Sequence, residues 1–246
     1  MNVLSQSEQK QLVAITAIER LIQKGWIFSG MRIGLGTGST AIPAIRHLAK
    51  KIADGTVTDI KAVSTSFQTT IVCEELGIPV YSLNSKEIGG QLDMAIDGAD
   101  AISPECYLIK GGGAALLQEK IVAYNAKNYA IVADESKLAE SLGTGFPLPV
   151  EIIQEARKTV ELKLEQIGAK STLREGVKKA GPVITDNGNI ILDLKWPSSV
   201  KAEIFEDTIN SITGVVDNGF FTKKPPLVFI AYSDGSIKEM GFEAKN

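Results

Sequence analysis

Three glycines in a row follow a lysine in the segment KGGGAALLQEK, residues 110–120. Glycine loses more conformational freedom on folding than any other residue, and it has no side chain to pack. The run at residues 111–113 therefore indicates that the backbone approaches a ligand closely beside Lys110. The pattern that follows predicts a helix from about Ala114, with Glu119 in its second turn and an N-terminus able to hold negative charge. On helix statistics alone, a solvent-facing residue paired with a nearby lysine is the commoner role for this glutamate.

A second glycine-rich segment, GLGTGST at residues 34–40, stands between a predicted strand and a predicted helix. Such a turn directs backbone N–H groups and the positive end of the helix toward an anion, and Thr37 and Thr40 add hydroxyl groups. No lysine follows as a Walker A loop requires, and Ser39 replaces the third glycine of the dinucleotide fingerprint. The small, hydroxyl-lined form favours a sugar phosphate over a nucleotide, with a tight structural turn as the alternative.

Two carboxylates stand three positions apart in DGAD, residues 97–100. Aspartate is common in turns, so a simple turn is the alternative interpretation for this segment. The downstream Lys110 makes Asp97 and Asp100 more informative, because a lysine limits the mutual repulsion of two acids. We interpret the two aspartates as candidates for hydrogen bonding to sugar hydroxyls.

The composition excludes several kinds of chemistry. His47 is the only histidine, so a site with several histidine ligands is impossible, and its segment predicts a solvated helix face. A general base is therefore expected to be a carboxylate. Cys73 and Cys106 lie far apart without a CxxC spacing, so neither a zinc site nor a disulfide scaffold is indicated. The composition therefore indicates no metal site.

The charge and hydropathy of the chain exclude further classes of function. A net charge of −3 over 246 residues argues against general affinity for nucleic acid. No apolar run approaches the length of a membrane span, and the N-terminal segment lacks the pattern of a signal peptide. We therefore expect a cytoplasmic protein with a small-molecule partner and neither membrane nor nucleic acid.

Alternating strands and helices in the first part of the chain predict βαβ units and a mostly parallel sheet. Prolines and glycines cluster after residue 142, and the pattern then predicts an α+β subdomain of the ferredoxin-like kind with a turn at Asn187-Gly188. The last segment predicts two strands that return to the first domain. We thus expect an α/β fold with a Rossmann-like larger domain and a smaller ferredoxin-like one. The predicted domains are residues 1–145 plus 223–246, and residues 146–222. IPVYSL (78–83) and GVVDNGFF (214–221) are each predicted as one strand.

GTGST, DGAD and KGGGAALLQEK, in this order and at these separations, resemble ribose-5-phosphate isomerase of the A type. The resemblance spans nearly the whole chain and includes Ser64-Thr65-Ser66, IVADESK (131–137), FPLPVEI (146–152), VITDNGNIILD (183–193) and ITGVVDNGFF (212–221). It implies interconversion of D-ribose 5-phosphate and D-ribulose 5-phosphate in the non-oxidative pentose phosphate pathway, through a cis-enediol(ate) and without a cofactor. It also implies a Rossmann-like larger domain and a homodimer or homotetramer.

The resemblance assigns roles to individual residues. It implies that Glu119 is the proton acceptor, and we take Asp97, Asp100 and Lys110 as further catalytic candidates. The predicted substrate-binding residues are Thr37, Gly38, Ser39, Thr40, Asp97, Gly98, Ala99, Asp100, Lys110, Gly111, Gly112, Gly113, Lys137 and Lys10. Two positions depart from the family pattern, since Ala101 stands where a Glu is frequent and Gln118 where an Arg is common.

Two other functions fit parts of the sequence. A sugar-phosphate sensor of the same architecture would carry a DNA-binding segment, and none is visible before Met31. A sugar-phosphate deaminase or lactonase would be favoured by a catalytic histidine, and His47 is poorly placed for that role.

Overall fold

The structure is a computed structural model that describes residues 3–241. Its helices are α1 (Gln6–Gln23), α2 (Ala41–Ala53), α3 (Phe67–Glu75), α4 (Leu116–Tyr124), α5 (Arg157–Gln166) and α6 (Ala202–Asn210). Its strands are β1 (Arg32–Leu35), β2 (Lys61–Ser64), β3 (Leu92–Asp97), β4 (Ala101–Ile102), β5 (Leu108–Ile109), β6 (Ala126–Asp134), β7 (Leu148–Ile152), β8 (Lys170–Leu173), β9 (Ile190–Lys195), β10 (Val215–Asn218), β11 (Phe220–Phe221), β12 (Leu227–Ala231) and β13 (Ile237–Gly241). No helix within residues 3–241 is long and apolar enough to cross a membrane.

The described chain separates into two compact units. Residues 3–99, 121–137 and 224–241 form the first unit, and residues 100–120 and 138–223 form the second. Residues 100–120 pack with the second unit, a grouping that the sequence pattern did not indicate. The domain boundaries expected near residues 145 and 223 stay a prediction.

The first unit contains a six-stranded sheet in the order β13-β12-β6-β3-β1-β2. All neighbouring strands pair in parallel except β12 and β13, which pair antiparallel. The strands read as apolar runs because the middle of the sheet is buried on both faces. This confirms the predicted α/β class with a mostly parallel sheet.

Helix α1 begins at Gln6, directly after its cap at Ser5. Ser5 caps the helix by accepting the Glu8 N–H, and the Glu8 carboxylate accepts the Ser5 N–H in return, which completes a capping box. The apolar positions at helical spacing form its buried face, and they pack into the core of the first unit.

The second unit contains a four-stranded antiparallel sheet in the order β10-β7-β9-β8. Its chain order is β7-α5-β8-β9-α6-β10, which is the ferredoxin-like βαββαβ arrangement that the sequence predicts. The turn before β9 is confirmed, because the Thr185 N–H donates to the Asn189 carbonyl and Gly188 has a φ of +82°. A separate three-stranded sheet has the order β11-β5-β4.

Two strand predictions were wrong. Residues 78–83 make only an isolated bridge between Val80 and Ala62, because Pro79 has no N–H to continue a ladder. Residues 214–221 form two strands in different sheets instead of one. The break falls at Gly219, whose N–H donates to the Pro149 carbonyl and whose carbonyl accepts the Lys110 N–H.

Candidate active site

Three predicted site segments of the first unit follow neighbouring parallel strands. The GTGST turn follows β1, Asp97 ends β3, and a short 3₁₀ turn at Glu135–Lys137 follows β6. Because β6, β3 and β1 are adjacent and parallel, their carboxyl ends lie along one edge of the sheet. Ligands of open α/β sheets bind at this edge.

Asp97 organises the start of the GTGST turn. Its Oδ1 accepts the N–H of Thr37 at 3.0 Å and the N–H of Gly98 at 2.7 Å. A Cβ atom on residue 36 would overlap the Asp97 carboxyl group, so glycine is required there. The buried Asp97 carboxylate and the bare backbone of Gly36 therefore fit together as one unit of structure.

A cluster of hydroxyl groups surrounds Thr37. Its Oγ1 lies 2.7 Å from the Thr65 Oγ1, donates to the Ser66 Oγ at 2.7 Å and lies 3.3 Å from the Thr69 Oγ1. Ser66 caps α3, and Thr69 donates from its side chain to the Gly36 carbonyl at 2.8 Å. This network of hydrogen bonds holds the GTGST turn against the start of α3 and supplies polar groups suited to a phosphate.

The rest of the turn is more open. Gly38 has a φ of +98°, a conformation that favours glycine, and its carbonyl accepts the Ile42 N–H as α2 begins. Thr40 precedes α2 without capping it through its side chain, and Ser39 is exposed. Lys10 of α1 donates from its Nζ to the Ser39 Oγ at 3.1 Å, so a positive charge stands beside the turn.

Lys137 lies half-buried at the end of the turn after β6. The preceding Asp134 is buried, and its Oδ1 accepts hydrogen bonds from the Gln6 side chain and the Ser136 backbone. Burial raises the pKa of Asp134, but the hydrogen bonds from Ser136 and Gln6, with the charge of Lys10, outweigh it and lower the pKa below its usual range. The aspartate thus stays ionised and holds this turn.

The glycine run of the second unit is tied to Asp100. The N–H of Gly112 donates to the Asp100 Oδ2 at 2.7 Å, and a Cβ atom on residue 112 would lie 2.6 Å from the Oδ1. Gly111 has a φ of +98°, and a Cβ atom there would meet the Leu116 side chain at 2.7 Å. Gly112 and Gly113 are exposed. The bare backbone predicted from the sequence is therefore present.

Lys110 and Glu119 form a buried ion pair in the second unit. The Lys110 Nζ lies 3.3 Å from the Glu119 Oε1, and the two side chains are 2% and 6% exposed. The helix begins at Leu116 and not near Ala114, so Glu119 lies in its first turn. The start is delayed because Ala114 has a φ of +60° and its N–H donates to the Gly111 carbonyl. A solvent-facing role for Glu119 does not fit this burial.

His47 differs from its predicted place on a solvated helix face. Its side chain is mostly buried, and its Nε2 lies 2.8 Å from the Glu19 Oε1, where Lys51 also pairs at 2.7 Å. Because α1 and α2 pack together, the face of α2 that was predicted to be solvated contacts the Glu19 carboxylate of α1. Among residues 3–241, no group of three or more metal-binding side chains is present.

Sequence reasoning missed the contacts of two basic residues near Glu119 and the glycine turn. Lys120 is buried and pairs through its Nζ with the Asp217 Oδ1 at 2.7 Å and the Glu206 Oε1 at 3.3 Å. Arg174 donates from its Nη1 to the carbonyl oxygens of Gly111 and Gly112. Neither residue carries a signal in the sequence, because their partners are far away along the chain.

The comparisons with known proteins agree with one another. The profile described as ribose 5-phosphate isomerase A (phosphoriboisomerase A) matches residues 61–235. A curated ribose-5-phosphate isomerase A from Treponema denticola is 57% identical over 236 residues, which cover 95% of this chain and 99% of the relative. The chain belongs to the ribose 5-phosphate isomerase A family.

Other members of the ribose 5-phosphate isomerase A family resemble this chain over similar lengths. The curated enzyme from Treponema pallidum is 49% identical, covering 96% of this chain and 94% of its own. The solved structure from Methanocaldococcus jannaschii has a TM-score of 0.87 at 39% identity, covering 97% of this chain and 100% of its own. The structure of a D-ribose-5-phosphate isomerase in complex with phospho-erythronic acid has a TM-score of 0.89 at 39% identity. The match covers 98% of this chain and 100% of that one.

Proposed function

We propose that this protein interconverts D-ribose 5-phosphate and D-ribulose 5-phosphate through a cis-enediol(ate). The observation that carries the residue assignment is the buried ion pair of Glu119 and Lys110, whose Oε1 and Nζ atoms lie 3.3 Å apart. Lys110 directly precedes an exposed glycine turn. A carboxylate base beside a cation is what proton transfer next to a carbonyl requires, since negative charge develops on oxygen. The family membership and a relative that holds phospho-erythronic acid support the substrate class.

In the proposed mechanism, Glu119 removes the proton from C2 of the ring-opened aldose. The electrons of the C–H bond form the C1–C2 double bond, and the carbonyl oxygen at C1 takes up the negative charge or a proton. Glu119 then returns the proton to C1, while the proton of the C2 hydroxyl passes to the C1 oxygen, directly or through solvent, so that C2 becomes the ketone and C1 carries the hydroxyl. Lys110 stabilises the charged oxygen in both directions.

The glycine turn contributes donors selectively. Because the N–H of Gly112 is engaged by Asp100, we assign the oxyanion role to Lys110 and to the N–H of Gly113. Asp100 orients a sugar hydroxyl and fixes the turn. Asp97 is assigned to hydroxyl recognition and to assistance in opening the furanose ring.

The phosphate is assigned to the GTGST turn. Its hydroxyl groups, the N-terminus of α2 and the charges of Lys10 and Lys137 suit a dianion at the carboxyl edge of the sheet. A phosphate remote from the reacting carbons fixes the position of the sugar, so its binding energy supports turnover as well as affinity.

The wider setting is also a proposal. A cytoplasmic location is supported by the unpaired, buried Cys73 and Cys106, and the lack of nucleic-acid binding by the net charge of −3. The homodimer or homotetramer rests on the family resemblance alone. Light scattering coupled to size-exclusion chromatography measures the number of subunits directly.

The deciding experiment follows ribose 5-phosphate in D₂O with EDTA by NMR. We expect ribulose 5-phosphate to appear, with solvent exchange at the transferred hydrogen. Glu119→Gln removes the base but keeps the shape, so turnover should fall about 10²- to 10⁴-fold with little change in KM.

Glu161→Gln is the matched control, because Glu161 is also a helical carboxylate in an ion pair, with the Arg157 Nη1 2.7 Å from its Oε1, yet its partner is 46% exposed and it has no assigned role in the reaction. It should keep wild-type turnover. Near-normal turnover by Glu119→Gln would refute the base assignment, and binding of the sugar phosphate without turnover by the wild type would favour a sensor.

A further inference from the structure

Arg174 follows strand β8 and reaches the glycine turn of the second unit. Its Nε donates to the Asp193 Oδ2 at 2.8 Å, and its Nη2 donates to the Asp193 Oδ1. The remaining nitrogen, Nη1, donates to the Gly111 carbonyl at 2.8 Å and the Gly112 carbonyl at 3.1 Å. The arginine side chain is 16% exposed, so these bonds are largely shielded from water.

These contacts set the direction of two peptide groups. In a planar trans peptide the C=O and N–H point in opposite directions. The peptide that joins Gly111 to Gly112 is held at both ends, by Arg174 at its carbonyl and by Asp100 at its N–H. The next peptide joins Gly112 to Gly113, and its carbonyl also accepts a hydrogen bond from Arg174. The N–H of Gly113 is therefore directed away from the guanidinium.

The turn needs this external support because its own residues cannot provide it. A side chain at position 111 would collide with Leu116, and one at position 112 with Asp100. Three glycines without side chains would otherwise sample many backbone conformations. A guanidinium has a planar fork of donors, so it can hold a carboxylate with one edge and two carbonyls with another nitrogen, which a lysine cannot.

We propose that Arg174 is a positioning residue for the isomerisation. Anchored by Asp193, it turns the carbonyls of Gly111 and Gly112 away from the reacting oxygen, where their partial negative charge would oppose the enediolate. It thereby presents the N–H of Gly113 and holds Asp100 in place. This role rests on the proposed function, in which the glycine turn faces the charged intermediate.

The test compares Arg174→Ala and Arg174→Lys in steady-state kinetics with ribose 5-phosphate. A loosened donor affects the transition state more than substrate binding, so for Arg174→Ala we expect kcat to fall about tenfold or more while KM changes less than about threefold. Arg174→Lys should recover only part of the loss. Methylguanidinium added at millimolar concentration should raise the kcat of Arg174→Ala severalfold, which a general structural defect would not permit.

Arg157→Ala is the matched control, since Arg157 pairs with Glu161 on an exposed face of the same unit. Its kcat should stay at the wild-type value and should not respond to methylguanidinium. If Arg174→Ala fails to fold, Asp193→Asn carries the test, and a drop in kcat at unchanged KM with an intact thermal transition is expected.

A folded Arg174→Ala or Asp193→Asn enzyme with wild-type kcat would overturn the positioning role, as would a raised KM at constant kcat. Glu119→Gln in the same assay separates this failure from that of the proposed function. If Glu119→Gln is inactive while the Arg174 variants are fully active, only the positioning role fails. If Glu119→Gln keeps its turnover, the assignment of Glu119 as the base fails, and a wild-type protein that does not turn over ribose 5-phosphate refutes the proposed function itself.

Discussion

Lys110 and Glu119 are costly residues to bury. Removing two charges from water carries a desolvation penalty that their mutual attraction offsets only with good geometry and further hydrogen bonds. The Lys110 Nζ also lies 5.8 Å from the centre of the Phe221 ring, which adds a favourable contact for the cation. A buried pair of this kind, next to an exposed glycine turn, supports the catalytic roles that we propose for Lys110 and Glu119.

At the residue scale we predict that Gly36→Ala damages both activity and folding. The added methyl group would displace the Asp97 carboxylate from the N–H of Thr37. Overpacking of this kind costs about 1–3 kcal/mol of unfolding free energy, and the displaced carboxylate should lower kcat/KM at least about tenfold.

Gly145→Ala is the control for that substitution. No atom lies within 4 Å of a Cβ at position 145, so its unfolding free energy and kcat/KM should match the wild type. Urea unfolding and steady-state kinetics measure the two quantities. Equal behaviour of the two alanine variants would contradict the assigned fit between Gly36 and Asp97.

The residue types could be predicted from the sequence, but their partners could not. Three adjacent glycines after Lys110 predict that the backbone closely approaches another group, and in the structure the Asp100 carboxylate lies beside them. The burial of Glu119 was hidden, because helix periodicity does not show what covers a helix face. Arg174 was hidden for a related reason, since its bonds to Gly111 and Gly112 join segments about sixty residues apart.

At the scale of elements, Lys120 ties α4 to two other parts of the second unit. It pairs with Asp217 of β10 and Glu206 of α6, and it donates to the Asn218 carbonyl at 2.7 Å. Glu206 in turn accepts the N–H of Thr222 at 3.0 Å. This buried network fixes the helix that carries Glu119, the residue that we propose as the base.

We therefore predict that Lys120→Met lowers the free energy of unfolding by about 3–5 kcal/mol, because it leaves the buried Glu206 carboxylate and the partly buried Asp217 carboxylate without their lysine. Lys158→Met, on a side chain that is 73% exposed, should change it by less than about 0.5 kcal/mol. Urea unfolding followed by circular dichroism measures both. A loss for Lys120→Met no larger than that of Lys158→Met would show that the network contributes nothing to stability.

Element types followed from hydrophobic periodicity, whereas some element ends did not. The ferredoxin-like order of β7 to β10 was predicted because its strands and helices alternate clearly. Residues 78–83 look like a strand by composition, yet Pro79 removes a donor and the segment makes a single bridge. The break at Gly219 depends on Pro149 and Lys110, which are distant in sequence.

At the scale of the whole molecule, one ion pair predicts a loss of stability in acid. Asp93 of β3 accepts from the Arg32 guanidinium and from the Arg32 N–H. The Arg32 side chain lowers the pKa of Asp93 below its usual value of 3.8, against the opposing effect of burial. The folded state therefore binds this proton less readily than the unfolded state does.

The direction in which stability changes with pH follows from that difference in pKa. The stabilisation is fully present above pH 3.8, the unfolded value, and is lost as the pH falls through the lower folded pKa. We expect Asp93→Asn to be less stable than the wild type at neutral pH, with a gap that narrows in acid. Urea unfolding midpoints of both proteins, measured from neutral pH into acid, test this expectation. A stability difference that stays constant with pH would exclude Asp93 as the source of the acid sensitivity.

The order of strands along the chain has a consequence for synthesis on the ribosome. Strand β12 pairs with β6, although about ninety residues separate them, so the parallel sheet stays open on that side until the chain beyond residue 226 has emerged. All residues of the second unit are translated before then. A nascent chain thus carries the exposed edge of β6, with its unpaired N–H and C=O groups, while about ninety further residues are added, and a product truncated before β12 would retain that edge as a template for aggregation.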